Sequence, residues 1–165
     1  MPEITLLGWT HTIIAIVALF AGFYSLLVCK VIRTDQRAGQ LYLICTFIAA
    51  VTALMIYQHG GFGPAHALAV LTLLALAAGL MVTKVSALAR IAIYFQAFCF
   101  SSTLLFHMIP AITDGLLRLP VGDPILTNPE DPLLRLFYLS FVAIFFVGAF
   151  LQFRWLRKNN HANMV

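Results

Sequence analysis

Five long apolar runs constrain this chain more than any other feature of its sequence. A helix rises about 1.5 Å per residue, so roughly 20 apolar residues cross the hydrocarbon core of a bilayer. Backbone groups in lipid must satisfy their own hydrogen bonds, and the alternating pattern of a membrane barrel is absent. We therefore predict a single all-α domain over residues 1–165, a bundle of five transmembrane helices. The runs are Thr10–Ile32, Gly39–Gln58, Ala65–Thr83, Leu88–Ile112 and Leu134–Phe153.

The composition excludes several classes of protein. Hydrophobic residues make up 62% of the chain and charged residues only 10%, whereas soluble domains have about 45–50% and about 25%. A soluble enzyme and a disordered tail therefore do not fit, and we expect a lipid bilayer and no nucleic acid as partner. No HExxH, GxSxG, Walker A or GxGxxG motif is present, so the sequence leaves open whether the protein is an enzyme.

The basic residues predict how the chain crosses the membrane. With five spans, eight of the ten Lys and Arg residues fall on one side, and the positive-inside rule places that side in the cytoplasm. We therefore expect the N-terminus outside and the C-terminus in the cytoplasm, as in a multi-pass protein of a bacterial inner membrane. The eight are Lys30, Arg33, Arg37, Lys84, Arg90, Arg154, Arg157 and Lys158.

The one long connection, residues 113–133, falls on the outer side. It is rich in proline but also carries Leu116, Leu117, Leu119 and Val121, which a purely solvated linker does not need. We expect it to fold as a lid on the outer mouth of the bundle. The alternative is an interfacial segment that rests among the lipid headgroups.

Four histidines are the candidate functional residues. His11 lies at the start of the first helix, His59 and His66 bracket the turn between the second and third, and His107 lies near the outer end of the fourth. All four are predicted at one height, close to the outer surface. Ionisable groups in spans are costly and often mark function, and imidazole is a common metal ligand.

The helical spacing of polar residues predicts which sides face inward. On the fourth helix Gln96, Thr103, His107 and Asp114 share one stripe, which we expect to face protein or a cavity. His11 begins a stripe of small residues on the first helix, and small residues allow close helix packing. Gln96 and Thr103 are thus predicted to line a cavity, and Asp114 to orient His107 from behind.

This pattern favours binding of a metal ion or haem near the periplasmic face, for electron transfer or metal handling. The predicted ligands are His11, His59, His66 and His107, and the predicted groups are copper, zinc or haem b. Two other functions stay open: a carrier or binding site for quinone or another small molecule, and a non-catalytic accessory subunit of a membrane complex. Interfacial histidines that merely cap a turn are the structural alternative. Other subunits or further copies of the chain are candidate partners.

Two short segments carry a family resemblance. The sequence His107-Met-Ile-Pro-Ala-Ile-Thr-Asp114 with the following Arg118-Leu-Pro120, and the segment Gly39-Gln-Leu-Tyr42, resemble a family of small bacterial membrane proteins described only as a domain of unknown function. The resemblance implies a multi-helix protein of the bacterial inner membrane. It implies no activity.

Overall fold

The computed structural model describes residues 4–57 and 61–162, and all regular structure in these residues is helical. Each of the five long helices is long and apolar enough to cross a membrane, which confirms the predicted class of multi-pass helical membrane protein. Two single turns of 3-10 helix, Val82–Lys84 and Ser86–Leu88, join the third helix to the fourth. The long helices are α1 Leu6–Cys29, α2 Arg37–Leu54, α3 Pro64–Met81, α4 Ala89–Arg118 and α5 Pro132–Ala162.

The first four helices form a ring, and α5 lies outside it. Each helix packs against the next along the chain, and α1 also meets α4. By contrast, α5 packs mainly on α4 and leaves most of its apolar side chains exposed. In a bilayer these side chains face lipid, because they are too numerous and too apolar for a water-exposed surface.

Small residues let the helices of the ring approach closely. A Cβ atom at Gly22 of α1 would lie 2.9 Å from the ring of Tyr42 on α2, and one at Gly79 of α3 would lie 2.6 Å from the ring of Phe100 on α4. Ala18 of α1 is fully buried in the same core. The predicted stripe of small residues on α1 is thus confirmed as a packing face.

Three basic segments meet at one end of the bundle. Residues of the α1–α2 connection, the first turns of α4 and the C-terminal part of α5 line one shared cleft there. Gln152 of α5 ties them together: its amide donates to the Lys30 carbonyl at 3.0 Å and its carbonyl accepts from Ser101 at 2.9 Å. The predicted grouping of these segments on one side agrees with this arrangement.

The long connection is shorter than predicted, because α4 continues past Pro110 to Arg118. The Thr113 hydroxyl bonds to the Ile109 carbonyl at 2.7 Å and to the Tyr138 hydroxyl of α5 at 2.6 Å. This contact joins the last turns of α4 to α5, and residues 113–118 belong to α4. The connection itself spans residues 119–131.

This connection is folded against the ends of α4 and α5. The Leu126 amide donates to the Leu116 carbonyl at 2.9 Å, and the Leu126 side chain packs with Leu117 and Leu134. Val121 at its tip is 90% exposed. The connection is therefore an ordered segment with an exposed apolar tip, which suits an interface with headgroups, and its role as a lid stays a prediction.

Candidate functional site: a histidine pair on α2

His11 of α1 and His107 of α4 both hydrogen-bond to α2. The Nδ1 atom of His11 lies 3.0 Å from the Ala49 carbonyl and 3.1 Å from the Thr52 hydroxyl. The Nε2 atom of His107 lies 3.1 Å from the Thr46 hydroxyl, one turn away along α2. Both histidines thus make hydrogen bonds to α2. That they share one ligand stays a prediction.

The hydrogen bonds of His11 fix where its proton lies. A carbonyl oxygen only accepts, so the Nδ1 atom that contacts Ala49 must carry the hydrogen. The Thr52 hydroxyl donates to the carbonyls of Ile48 and Ala49, so its oxygen also accepts from Nδ1. In the neutral ring, the lone pair then lies on Nε2.

A buried network of hydrogen bonds lies next to His107. Thr103 donates to the Phe100 carbonyl at 2.8 Å, so its oxygen accepts from the Tyr42 hydroxyl at 2.6 Å. The Thr46 hydroxyl, one turn beyond Tyr42 on α2, lies 3.1 Å from Nε2 of His107. A hydroxyl both donates and accepts, so this contact holds the His107 ring with the hydrogen on either ring nitrogen.

The polar side chains around Tyr42 are closed to solvent, and only the two histidines are partly exposed. Tyr42, Thr46 and Thr103 are 0% exposed, whereas His11 and His107 are half-buried. The rings of Tyr42 and His107 meet edge to face, with centroids 6.4 Å apart. Each imidazole is thus held in place on one side by protein and keeps part of its ring accessible.

Asp114 does not occupy the place predicted for it behind His107. Its exposed carboxylate pairs with Arg118 at 3.4 Å, one turn along α4. The Thr46 hydroxyl is instead the hydrogen-bond partner of His107. The physical reason is register, since seven residues place Asp114 about 10 Å further along the helix axis than His107.

The other two predicted ligands are not seen at this pair. His66 lies at the start of α3, where its Nδ1 accepts a 3.2 Å hydrogen bond from the Gly63 amide. Its ring stacks with Tyr57 and Phe62, at centroid distances of 4.7 and 5.4 Å. His59 lies outside the described residues. Within residues 4–57 and 61–162, no three His, Cys, Asp or Glu side chains are grouped to hold a metal ion.

The two residues predicted to line a cavity lie in different surroundings. Gln96 borders the cleft at the basic end of the bundle, and its amide donates to the Gly79 carbonyl at 2.8 Å. Thr103 is fully buried within the hydrogen-bonded chain of Tyr42. Gln96 thus borders a cleft at the opposite end from His107, and Thr103 holds Tyr42, so the two residues do not line one path with His107.

Sequence reasoning missed the polar residues of α2. Tyr42, Thr46 and Thr52 each contact a polar group of α1 or α4. Tyr42 and Thr46 are four residues apart and share one side of α2, whereas Thr52 lies about 120° around the helix from Thr46. The argument that singled out the α4 stripe would have found the first two.

Comparison with known proteins assigns no family. No family model matches the chain, and no curated protein or solved structure matches it. The resemblance to small bacterial membrane proteins therefore stays a prediction. The interpretation of the histidine pair depends on the geometry of the pair itself.

Proposed function

We propose that this multi-pass membrane protein binds a transition-metal ion or haem iron through His11 and His107. The observation that carries the proposal is the hydrogen bond from Nδ1 of His11 to the Ala49 carbonyl. Metal-binding histidines characteristically donate their second ring N–H to such an acceptor, which orients the ring and raises its basicity. The Thr46 hydroxyl, 3.1 Å from Nε2 of His107, holds the second ring in place.

Two imidazoles, each oriented by a hydrogen bond to α2, suit certain metal ions and cofactors better than others. His11 and His107 would together hold the iron of a haem b, which would supply a one-electron redox centre. Copper or zinc needs further ligands, which water, or His59 from outside the described residues, would supply. Bound haem or copper would carry electrons, and bound zinc or copper would fit a role in metal handling.

The site belongs at the extracytoplasmic face in this proposal. The histidine pair and the basic cleft lie toward opposite ends of α4, since Gln96 borders the cleft and His107 lies about 16 Å further along the axis. The positive-inside rule places the basic end in the cytoplasm. The N-terminus then lies outside and the C-terminus inside, in a bacterial inner membrane.

Metal analysis and an absorption spectrum of the purified protein test this function. We expect a stoichiometric metal or a haem Soret band in the wild-type protein and its loss in both His11→Ala and His107→Ala. His161→Ala is the matched control, since α5 carries it beyond the cleft residues Trp155 and Asn159 at the other end of the bundle. Circular dichroism checks that the variants keep their helices.

The other outcomes of this experiment separate the remaining functions. A metal-free, haem-free protein that co-purifies with a bound quinone would instead support the carrier. A protein that contains no metal, haem or quinone and co-purifies with further subunits would support the accessory role. Equal metal content in wild type and both histidine variants would overturn the proposed site.

A further inference from the structure

The cleft at the basic end of the bundle combines polar and apolar walls. It has a volume of about 320 Å³ and lies between the α1–α2 connection, the start of α4 and the end of α5. Its apolar wall includes Ile32 and Leu156. Its polar lining consists of Arg33, Thr34, Asp35, Gln96, Trp155 and Asn159. A site with both kinds of wall suits an amphiphile better than a fully polar solute.

The charge around the cleft is strongly positive. The segments that border it, residues 30–37 and 154–158, carry six Lys and Arg residues and a single acidic residue, Asp35. Basic pockets between membrane helices attract anionic lipid headgroups, and each basic residue near a membrane surface strengthens this attraction. The surroundings therefore favour a ligand that bears negative charge.

Arg33 is held in place for such a ligand. Its Nε and Nη2 atoms donate to the Asp35 carboxylate at 2.9 and 2.6 Å, which orients the guanidinium. This hydrogen bond also holds the pKa of Asp35 below its ordinary value. A guanidinium has five N–H groups, so three remain after these two bonds, in a planar arrangement that matches phosphate oxygens.

The connection that carries Arg33 is packed tightly onto the bundle. Val31 and Ile32 are buried, and a Cβ atom at Gly39 of α2 would collide with the Arg33 backbone carbonyl. The side-chain amide of Gln40 also donates to the Thr34 carbonyl at 2.9 Å. The polar rim of the cleft is thus preorganised, which lowers the entropic cost of binding.

We propose that this cleft binds the phosphate of an anionic phospholipid, with Arg33 as the principal contact and the apolar wall against the acyl chains. This cleft does not include the histidine pair, so the test of lipid binding is independent of the proposed function. Trp155 lines the cleft and serves as a built-in reporter, because Trp9 is the only other tryptophan of the chain.

Quenching of Trp155 by brominated lipid tests the proposal. Trp9→Phe protein is reconstituted in phosphatidylcholine vesicles that contain a small fraction of either brominated phosphatidylglycerol or brominated phosphatidylcholine. We expect phosphatidylglycerol to be preferred, and Arg33→Gln to reduce this preference about fivefold, as for one basic residue near a membrane surface. Thr34→Glu, an exposed change that places a negative charge at the rim, should also reduce it.

Arg90→Gln is the matched control, because Arg90 is an exposed arginine in the first turn of α4 and does not line the cleft. It should keep the preference for phosphatidylglycerol. Equal loss in Arg90→Gln and Arg33→Gln would overturn the proposal in favour of general surface charge. Abolition of the preference by millimolar inorganic phosphate would also overturn it, since free phosphate would then be the ligand.

Discussion

At the scale of the residue, Gly39 has no space for a side chain. It lies in the first turn of α2, where the α1–α2 connection folds back so closely that a Cβ atom would collide with the Arg33 carbonyl. Gly39→Ala should therefore lower the free energy of unfolding in detergent by about 1–3 kcal/mol, because the backbone must shift to admit the methyl group.

Gly148→Ala is the control for this prediction. Gly148 lies within α5, and no atom outside its own helix backbone lies within 4 Å of its Cβ position. Alanine is the better helix former by about 0.5–1 kcal/mol, so this change should leave stability unchanged or raise it slightly. Equal thermal stability of the two variants would contradict the close packing at Gly39.

At the scale of the element, the Tyr42 hydroxyl joins α2 to α4. It donates to Thr103 within a fully buried chain, so Tyr42→Phe removes an interhelical hydrogen bond. Such bonds in membranes contribute about 0.6 and at most about 1.7 kcal/mol, and we expect a loss of stability in that range. Tyr24→Phe, at a tyrosine that is 59% exposed, should have no effect. If both substitutions changed thermal unfolding equally, the proposed contribution of the Tyr42–Thr103 hydrogen bond to stability would be contradicted.

A second element-scale prediction concerns how α5 is attached. Gln152 bonds to both Ser101 and the Lys30 carbonyl, and α5 otherwise packs mainly on α4. Gln152→Leu leaves both partners without this contact, at a cost of about 1–3 kcal/mol. Hydrogen exchange should become faster in the C-terminal half of α5, and Ser140→Ala, whose hydroxyl bonds only within α5, should leave it unchanged. Unchanged exchange in Gln152→Leu would show that α5 is held by its apolar contacts alone.

The sequence predicts where the helices lie along the chain better than it predicts which residues of neighbouring helices meet. The five spans could be predicted because length and apolarity decide which segments enter a bilayer. The end of α4 could not, because contacts there involve another helix, as between Thr113 and Tyr138 of α5, and the local sequence does not display them. The pairing of Thr46 with His107 could not be predicted either, because it depends on how α2 and α4 are rotated against each other.

At the scale of the whole molecule, the proposed orientation predicts which connections face the cell interior. Val121, in the α4–α5 connection, is 90% exposed, and Thr34 lies at the basic end. In a background without Cys29, Cys45 and Cys99, an impermeant maleimide should label Val121→Cys in intact spheroplasts. It should label Thr34→Cys only after lysis. The reverse pattern would invert the topology and place the histidine pair at the cytoplasmic face.

The central claim is that His11 and His107 bind the same metal atom. X-ray absorption at the edge of the bound metal tests it most directly, because imidazole rings give a characteristic multiple-scattering signal that can be counted. We predict that the metal in the wild-type protein has at least two imidazole ligands. If His11→Ala or His107→Ala still binds some metal, that metal should have one imidazole ligand fewer. A metal environment without imidazole, or one that neither substitution changes, would contradict the claim.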